Sequence, residues 1–117
     1  SAGDVHHIFP KEFLKSNGIA EKSVYNQVAN YCYLDTGVNI AIGKRAPQDY
    51  FGAALQQCIT KEIKVGTITD ENMLRENLAD NCIPWEILKM EIVNYEGFLN
   101  QRRILMADKI KRYYNSL

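Results

Sequence analysis

Apolar and polar positions alternate at the start of the chain and then move to longer spacings. Asp4-Val5-His6-His7-Ile8-Phe9-Pro10 reads as a short strand over 4–9, closed by a proline that cannot continue a ladder. Pro10 then opens a short helix through Phe13 and Leu14, and Asn17-Gly18 stops it. Residues 19–29 keep no firm period and read as irregular or weakly helical. Asn30-Tyr31-Cys32-Tyr33-Leu34 is rich in strand formers and predicts a second strand able to pair with the first. Asp35-Thr36 offers a helix cap ahead of Val38, Asn39, Ile40 and Ile42, and Gly43 ends that helix. Strand, connection, strand, helix is the order of a ββα finger.

The second half reads as helical. Pro47, tolerated in a first turn, opens a helix through Tyr50, Phe51, Leu55 and Cys58. Residues 60–68 read as a short strand or a loop, broken at Gly66. Asp70 caps a helix through Met73, Leu74 and Leu78. Pro84 is expected to start the last and longest helix, with apolar positions Leu88, Ile92, Tyr95, Leu99, Met106, Ile110, Tyr113 and Leu117 at spacings of three and four. Gly97 is a point where that helix can bend, and the Tyr113-Tyr114 pair reads as packing. The fold class is therefore α+β and predominantly helical, with two short antiparallel strands and a C-terminal helical extension. Residues 1–58 form the finger with its following helix, and residues 59–117 pack on it within one structural domain.

Size and composition narrow the function classes. A chain of 117 residues buries one real core and is too short for two. No apolar run approaches the ~18 residues of a membrane span, and no basic-then-apolar leader opens the chain. Ser1-Ala2-Gly3 followed at once by the histidine motif reads as the start of an excised piece, so an upstream segment is expected. Cys32, Cys58 and Cys82 are odd in number and form no C-x-x-C pair, which argues against a disulfide framework or a zinc ribbon. Buried reduced thiols in a cytoplasmic protein are the plain expectation.

The zero net charge hides an asymmetry. Residues 1–45 carry five basic and four acidic side chains, 46–100 carry four and nine, and 101–117 carry five and one. A polyanionic partner would meet the two ends and be repelled by the middle.

The chemistry is concentrated in the first strand, which holds both histidines of the protein. Neighbouring strand residues face opposite ways, so His6 and His7 serve one site only if the strand twists or ends there. Folding the hairpin onto the helix that follows it brings Asn39 opposite His6. An imidazole and a carboxamide, with water and phosphate oxygens completing the shell, can hold one divalent cation. His7 would then face a water beside the scissile phosphate, and neutral imidazole accepts a proton near neutral pH. A bare His-His pair carries little weight, but asparagines 23 and 32 residues beyond His7 add to it.

These residues resemble the HNH, or ββα-metal, endonucleases. Asp4-Val5-His6-His7-Ile8-Phe9-Pro10-Lys11-Glu12-Phe13-Leu14-Lys15 also looks like the HNH domain of the RNA-guided CRISPR nucleases, where an aspartate stands in place of His6. A resemblance over nearly the whole chain is carried by Tyr25-Asn26-Gln27-Val28-Ala29-Asn30, Ile42-Gly43-Lys44-Arg45-Ala46-Pro47, Asn81-Cys82-Ile83-Pro84 and Phe98-Leu99-Asn100-Gln101-Arg102-Arg103. Those runs are similar to the nuclease portion of GmrSD-type restriction proteins, in which this portion follows a ParB-like nucleotide-binding domain and the whole defends bacteria against phage DNA.

The resemblance implies His7 as general base, with His6 and Asn39 as ligands of one divalent ion. It implies Asn30 as the central asparagine that ties the connecting loop and steadies the base, with Asn26 as the alternative for that task. Asp4 would be an outer partner of a histidine. Mg²⁺ suits such a shell best, and Mn²⁺, Zn²⁺ or Ni²⁺ are tolerated. Lys44, Arg45, Lys11 and Lys15 are candidate phosphate contacts, whereas Arg102-Arg103 reads as the wet face of an amphipathic helix. Many HNH domains carry two C-x-x-C zinc pairs, and this chain has none, so helix packing must hold its second half. The expected activity is hydrolysis of DNA phosphodiester bonds. An inactive nucleic-acid-binding module of the same fold is the first alternative, and a helical interaction domain with structural histidines is the second.

Overall fold

A computed structural model describes residues 5–33 and 45–117. Two three-residue strands, β1 (Val5–His7) and β2 (Tyr31–Tyr33), pair antiparallel with Val5 opposite Tyr33, His6 opposite Cys32 and His7 opposite Tyr31. Between them lie two short helices, α1 (Lys11–Ser16) and α2 (Lys22–Tyr25), and a 3₁₀ turn over Val28–Asn30. Three longer helices follow: α3 (Pro47–Thr60), α4 (Glu71–Asp80) and α5 (Tyr95–Asn115). The helix expected over 36–43 falls outside the described residues.

Local chemistry sets most of these boundaries. α1 ends where the Asn17 side chain donates to the Phe13 carbonyl (2.8 Å) and Gly18 adopts φ 91°, a left-handed turn that glycine enters without a Cβ clash. Pro47 sits in the first turn of α3, where its missing N–H costs no helical bond. Asp70 caps α4, its carboxylate accepting from the Met73 N–H at 3.1 Å. Residues 61–69 form a loop folded around the buried amide of Gln57. The Gln57 oxygen accepts from the N–H groups of Lys64 and Val65, and its nitrogen donates to the Ile68 carbonyl at 2.9 Å.

Three of these readings need correction. The last helix begins at Tyr95, not Pro84. Pro84 instead leads a 3₁₀ turn over Trp85–Lys89, the chain extends at Met90 and Glu91, and a second 3₁₀ turn covers Ile92–Asn94. The Asn94 side chain accepts from the Glu91 N–H at 2.8 Å and Glu91 returns the bond, a reciprocal cap that restarts the helix. The strand expected over 4–9 is shorter, because Ile8 and Phe9 leave the ladder. The Tyr113-Tyr114 pair does not pack on the core: both rings are exposed and contact each other edge to face.

One hydrophobic core unites these elements. Phe9, immediately after the hairpin strand, stacks its ring 4.9 Å from Phe98 and 5.2 Å from Tyr95, both on α5. Tyr50 and Phe51 of α3, Leu74 and Leu78 of α4, and Ile87 complete the buried centre. Past Arg102, α5 outruns the core, and Ile110, Tyr113 and Leu117 are exposed. Among the described residues no helix is long and apolar enough to cross a membrane.

Candidate active site at the end of the hairpin

β1 ends at the histidine pair. Beyond His7 the backbone turns inward and is caught at once. The Ile8 N–H donates to the Asn30 carbonyl (2.8 Å), and the Tyr50 hydroxyl donates to the Ile8 carbonyl. The Asn30 side chain, fully buried, then grips Phe9 at both main-chain groups. Its oxygen accepts from the Phe9 N–H at 2.8 Å and its nitrogen donates to the Phe9 carbonyl at 3.0 Å. A carboxamide is one of the few side chains that can pair with a peptide group in this way, giving one donor and one acceptor side by side. Asn30 thus ties the backbone at Phe9 to the start of β2.

His7 is held by two contacts. Its Nε2 lies 3.0 Å from the Asn26 side-chain oxygen, and its ring meets the cross-strand Tyr31 ring edge-on, centroids 5.0 Å apart and planes at 82°. Asn26 can occupy that place because it ends α2, where its own N–H caps the Lys22 carbonyl at 2.8 Å. His6 shares the opposite sheet face with Cys32. The His6 ring is half-buried and makes no hydrogen bond among the described residues.

That open nitrogen suits a metal ligand. Among the described residues no three His, Cys, Asp or Glu side chains converge, so a cation on His6 would need donors from elsewhere, as a shell built largely of water and phosphate oxygens does. Asn39, Asp4 and Lys44 lie outside the described residues. Lys11 and Lys15 are brought together on one face of α1, each ammonium 5.4 Å from the centroid of the Tyr25 ring. Tyr25 immediately precedes Asn26 at the end of α2. Arg45 is exposed.

The hairpin is fixed from behind by Arg102, whose role the sequence did not reveal. Its guanidinium, only 4% exposed, donates to the carbonyls of Ala29 (2.9 Å), Tyr31 and Asn81 (2.9 Å). The first two flank Asn30 in the chain. No carboxylate among the described residues pairs with Arg102, its Nε is left without a partner, and burial draws its pKa below the usual guanidinium value. The signal was present: Arg102 sits three residues after Leu99 and four before Met106, inside the apolar stripe rather than beside it. Arg103, by contrast, is exposed and reaches Asn100 and Gln27. A further brace comes from the Tyr95 hydroxyl, which donates to the Val24 carbonyl at 2.8 Å.

The cysteines are structural. All three are buried thiols. Burial pushes Cys32 up despite the nearby Arg102 charge, with Cys82 adding to the rise, and its Sγ lies 3.3 Å from the Asn81 side-chain oxygen. A thiol held protonated in this way is a poor nucleophile. Comparison of the chain with protein-family models, with curated proteins and with solved structures returned no match.

Proposed function

We propose that this domain is a metal-dependent endonuclease of the HNH type that hydrolyses DNA phosphodiester bonds. The observation that carries the reading is the state of the histidine pair at the end of β1: one imidazole held by Asn26 and Tyr31, its neighbour without a hydrogen bond among the described residues. A positioned base beside a metal ligand would need that contrast. The grip of Asn30 on Phe9 supports it further, because it fixes the backbone on which both rings ride.

In this reading His7 takes a proton from a water, and the hydroxide oxygen attacks phosphorus. The P–O3′ bond breaks and the departing O3′ takes a proton from solvent water, leaving a 5′-phosphate and a 3′-hydroxyl. His6 and Asn39 would hold one divalent ion, Mg²⁺ by preference, and such an ion would offset the charge developing on phosphate and leaving oxygen. Lys11, Lys15, Lys44 and Arg45 contact backbone phosphates. The setting is a cytoplasmic restriction or phage-defence protein, in which the domain works with an N-terminal nucleotide-binding domain.

A plasmid-nicking assay with added Mg²⁺ or Mn²⁺ tests this directly. Wild type should convert supercoiled DNA, and His7→Ala should do so about 10²–10⁴-fold more slowly, the usual contribution of a general base. Equal rates for the two proteins would remove His7 from the reaction.

A further inference from the structure

We propose that α5, where it leaves the core, is the receptor for an amphipathic helix of a partner protein whose flanks are acidic. The inference does not depend on the chemistry proposed for the histidines.

The face that α5 turns to the core continues after the core ends. Tyr95, Leu99 and Arg102 are buried, and the same side of the helix runs on through Met106, Ile110, Tyr113 and Leu117 at spacings of four and three. Met106 is half-buried and the other three are exposed. This is about 20 Å of helix, at 1.5 Å per residue, with its apolar side turned to water. Two open cavities lie along it. One, of about 460 Å³, has Val5, Tyr31 and Cys82 in its walls. The other, of about 330 Å³, has Gln27 and Ala29, and Val28, Met106 and Ile110 border both. A ridge between two hollows, repeating every three and four residues, is the relief that the side chains of a packed helix fill.

Charge decides what kind of helix fits. Past the core α5 carries Arg103, Lys109, Lys111 and Arg112 against one acid, Asp108. Arg102 and Lys109 stand on the walls of the larger cavity, where Asp80 is the one acid, and Arg103 stands on those of the smaller. None of these three cations pairs with a carboxylate among the described residues. Arg102 and Lys109 donate to main-chain carbonyls, and Arg103 donates to Asn100 and Gln27. Arg102 is almost wholly buried, and opposite charges attract more strongly in such low-dielectric surroundings than on open surface. A carboxylate beside an apolar anchor therefore matches the larger cavity in both shape and sign.

Other occupants match less of it. Two α5 helices laid along this face would set the same cations against each other, in either direction. The acidic α4 of another copy exposes one large apolar side chain, Met73, and so has no stripe to offer. Duplex DNA meets the cations but gives Ile110, Tyr113 and Leu117 little to pack on.

The probe is a synthetic peptide of about three heptads with Leu at the a and d positions and Glu at e and g, a pattern whose acidic flanks keep it from pairing with itself. Titrated as a fluorescein conjugate against the full chain, it should bind in the micromolar range by anisotropy. Replacing its Glu by Lys, or its Leu by Ala, should weaken binding at least about tenfold. Ile110→Ser combined with Tyr113→Ser should cost the original peptide at least about tenfold, and Lys109→Glu about three- to tenfold. All three positions are exposed, so thermal unfolding followed by circular dichroism should be unchanged. Ile104→Ser, exposed on the opposite side of α5, should bind as wild type does. No binding, equal binding of the three peptides, or an equal loss in Ile104→Ser overturns the proposal. Displacement of the peptide by an equal concentration of short duplex DNA would make this a nucleic-acid surface. A dimer in sedimentation that Ile110→Ser dissolves would make it a contact between copies. Either result also overturns the assignment.

Discussion

Arg102→Met should cost the domain about 3 kcal/mol and loosen the hairpin specifically. The substitution removes the donors that now serve the carbonyls of Ala29, Tyr31 and Asn81 and puts an apolar chain of similar reach in their place. Bonds from a charged donor contribute about 1.5–3 kcal/mol each, and acceptors stripped of a partner keep their desolvation cost. Three such bonds would sum to about 4.5–9 kcal/mol. Two effects reduce that total: burial already disfavours the guanidinium, and its Nε is unpartnered, so methionine relieves part of an existing cost. The remaining loss is a large fraction of the ~5–15 kcal/mol that holds a domain of this size. Urea denaturation followed by circular dichroism gives the free-energy change, and amide exchange gives its location, with the Ile8 N–H as reporter because its acceptor is the carbonyl of Asn30. Arg102→Lys, which keeps the charge but loses the fork, should fall between wild type and Met. A change under about 1 kcal/mol for Arg102→Met, or unaltered protection at Ile8, would show that the hairpin does not depend on this clamp.

Three more predictions follow from the site and its supports. His6→Ala should weaken Mn²⁺ binding measured by calorimetry at least tenfold while leaving the fold intact, and wild-type affinity would contradict the ligand role. Stability should fall as pH rises above about 10. Burial pushes Tyr95 up to about 12, so between those values the unfolded chain has lost a proton that the folded one keeps. That window should cost at most about 2–3 kcal/mol, and Tyr95→Phe should show a shallower loss in denaturation curves from pH 9 to 12; an identical slope would refute the link. Lys11→Gln with Lys15→Gln should reduce the slope of log binding constant against log salt by about 2 for duplex DNA, and an unchanged slope would make them a surface pair only.

How far the sequence carried can be seen residue by residue. The hairpin was legible because β-branched and aromatic residues cluster around 4–9 and 30–34, whereas Asn30 stood out only through a family resemblance, and its burial is set by the fold. α3 and α4 announced themselves through Pro47 and Asp70. Residues 84–94 misled, since Leu88 and Ile92 do face the core, but from two 3₁₀ turns that preserve a spacing of about three without a continuous helix. Arg102 was missed because an arginine is normally taken as solvent-facing. Only the positions of Ala29, Tyr31 and Asn81 in space, set by the whole fold, supply acceptors enough to bury it. The His7–Asn26 contact was half visible: the asparagine stood out, but which atom meets which nitrogen depends on where α2 ends.

The ties between the hairpin and α5 have a consequence for how the protein is made. Arg102 reaches back 73 residues to Ala29, Tyr95 reaches 71 to Val24, and Phe98 closes over Phe9. Contacts between such distant points in a chain form late, because long loops must close before they are rewarded. Synthesis proceeds from the N-terminus at roughly 5–20 residues per second. The histidines are therefore synthesised before α5 and wait for that helix before the hairpin is fixed, so a chain terminated ahead of Tyr95 carries them without the contacts from α5.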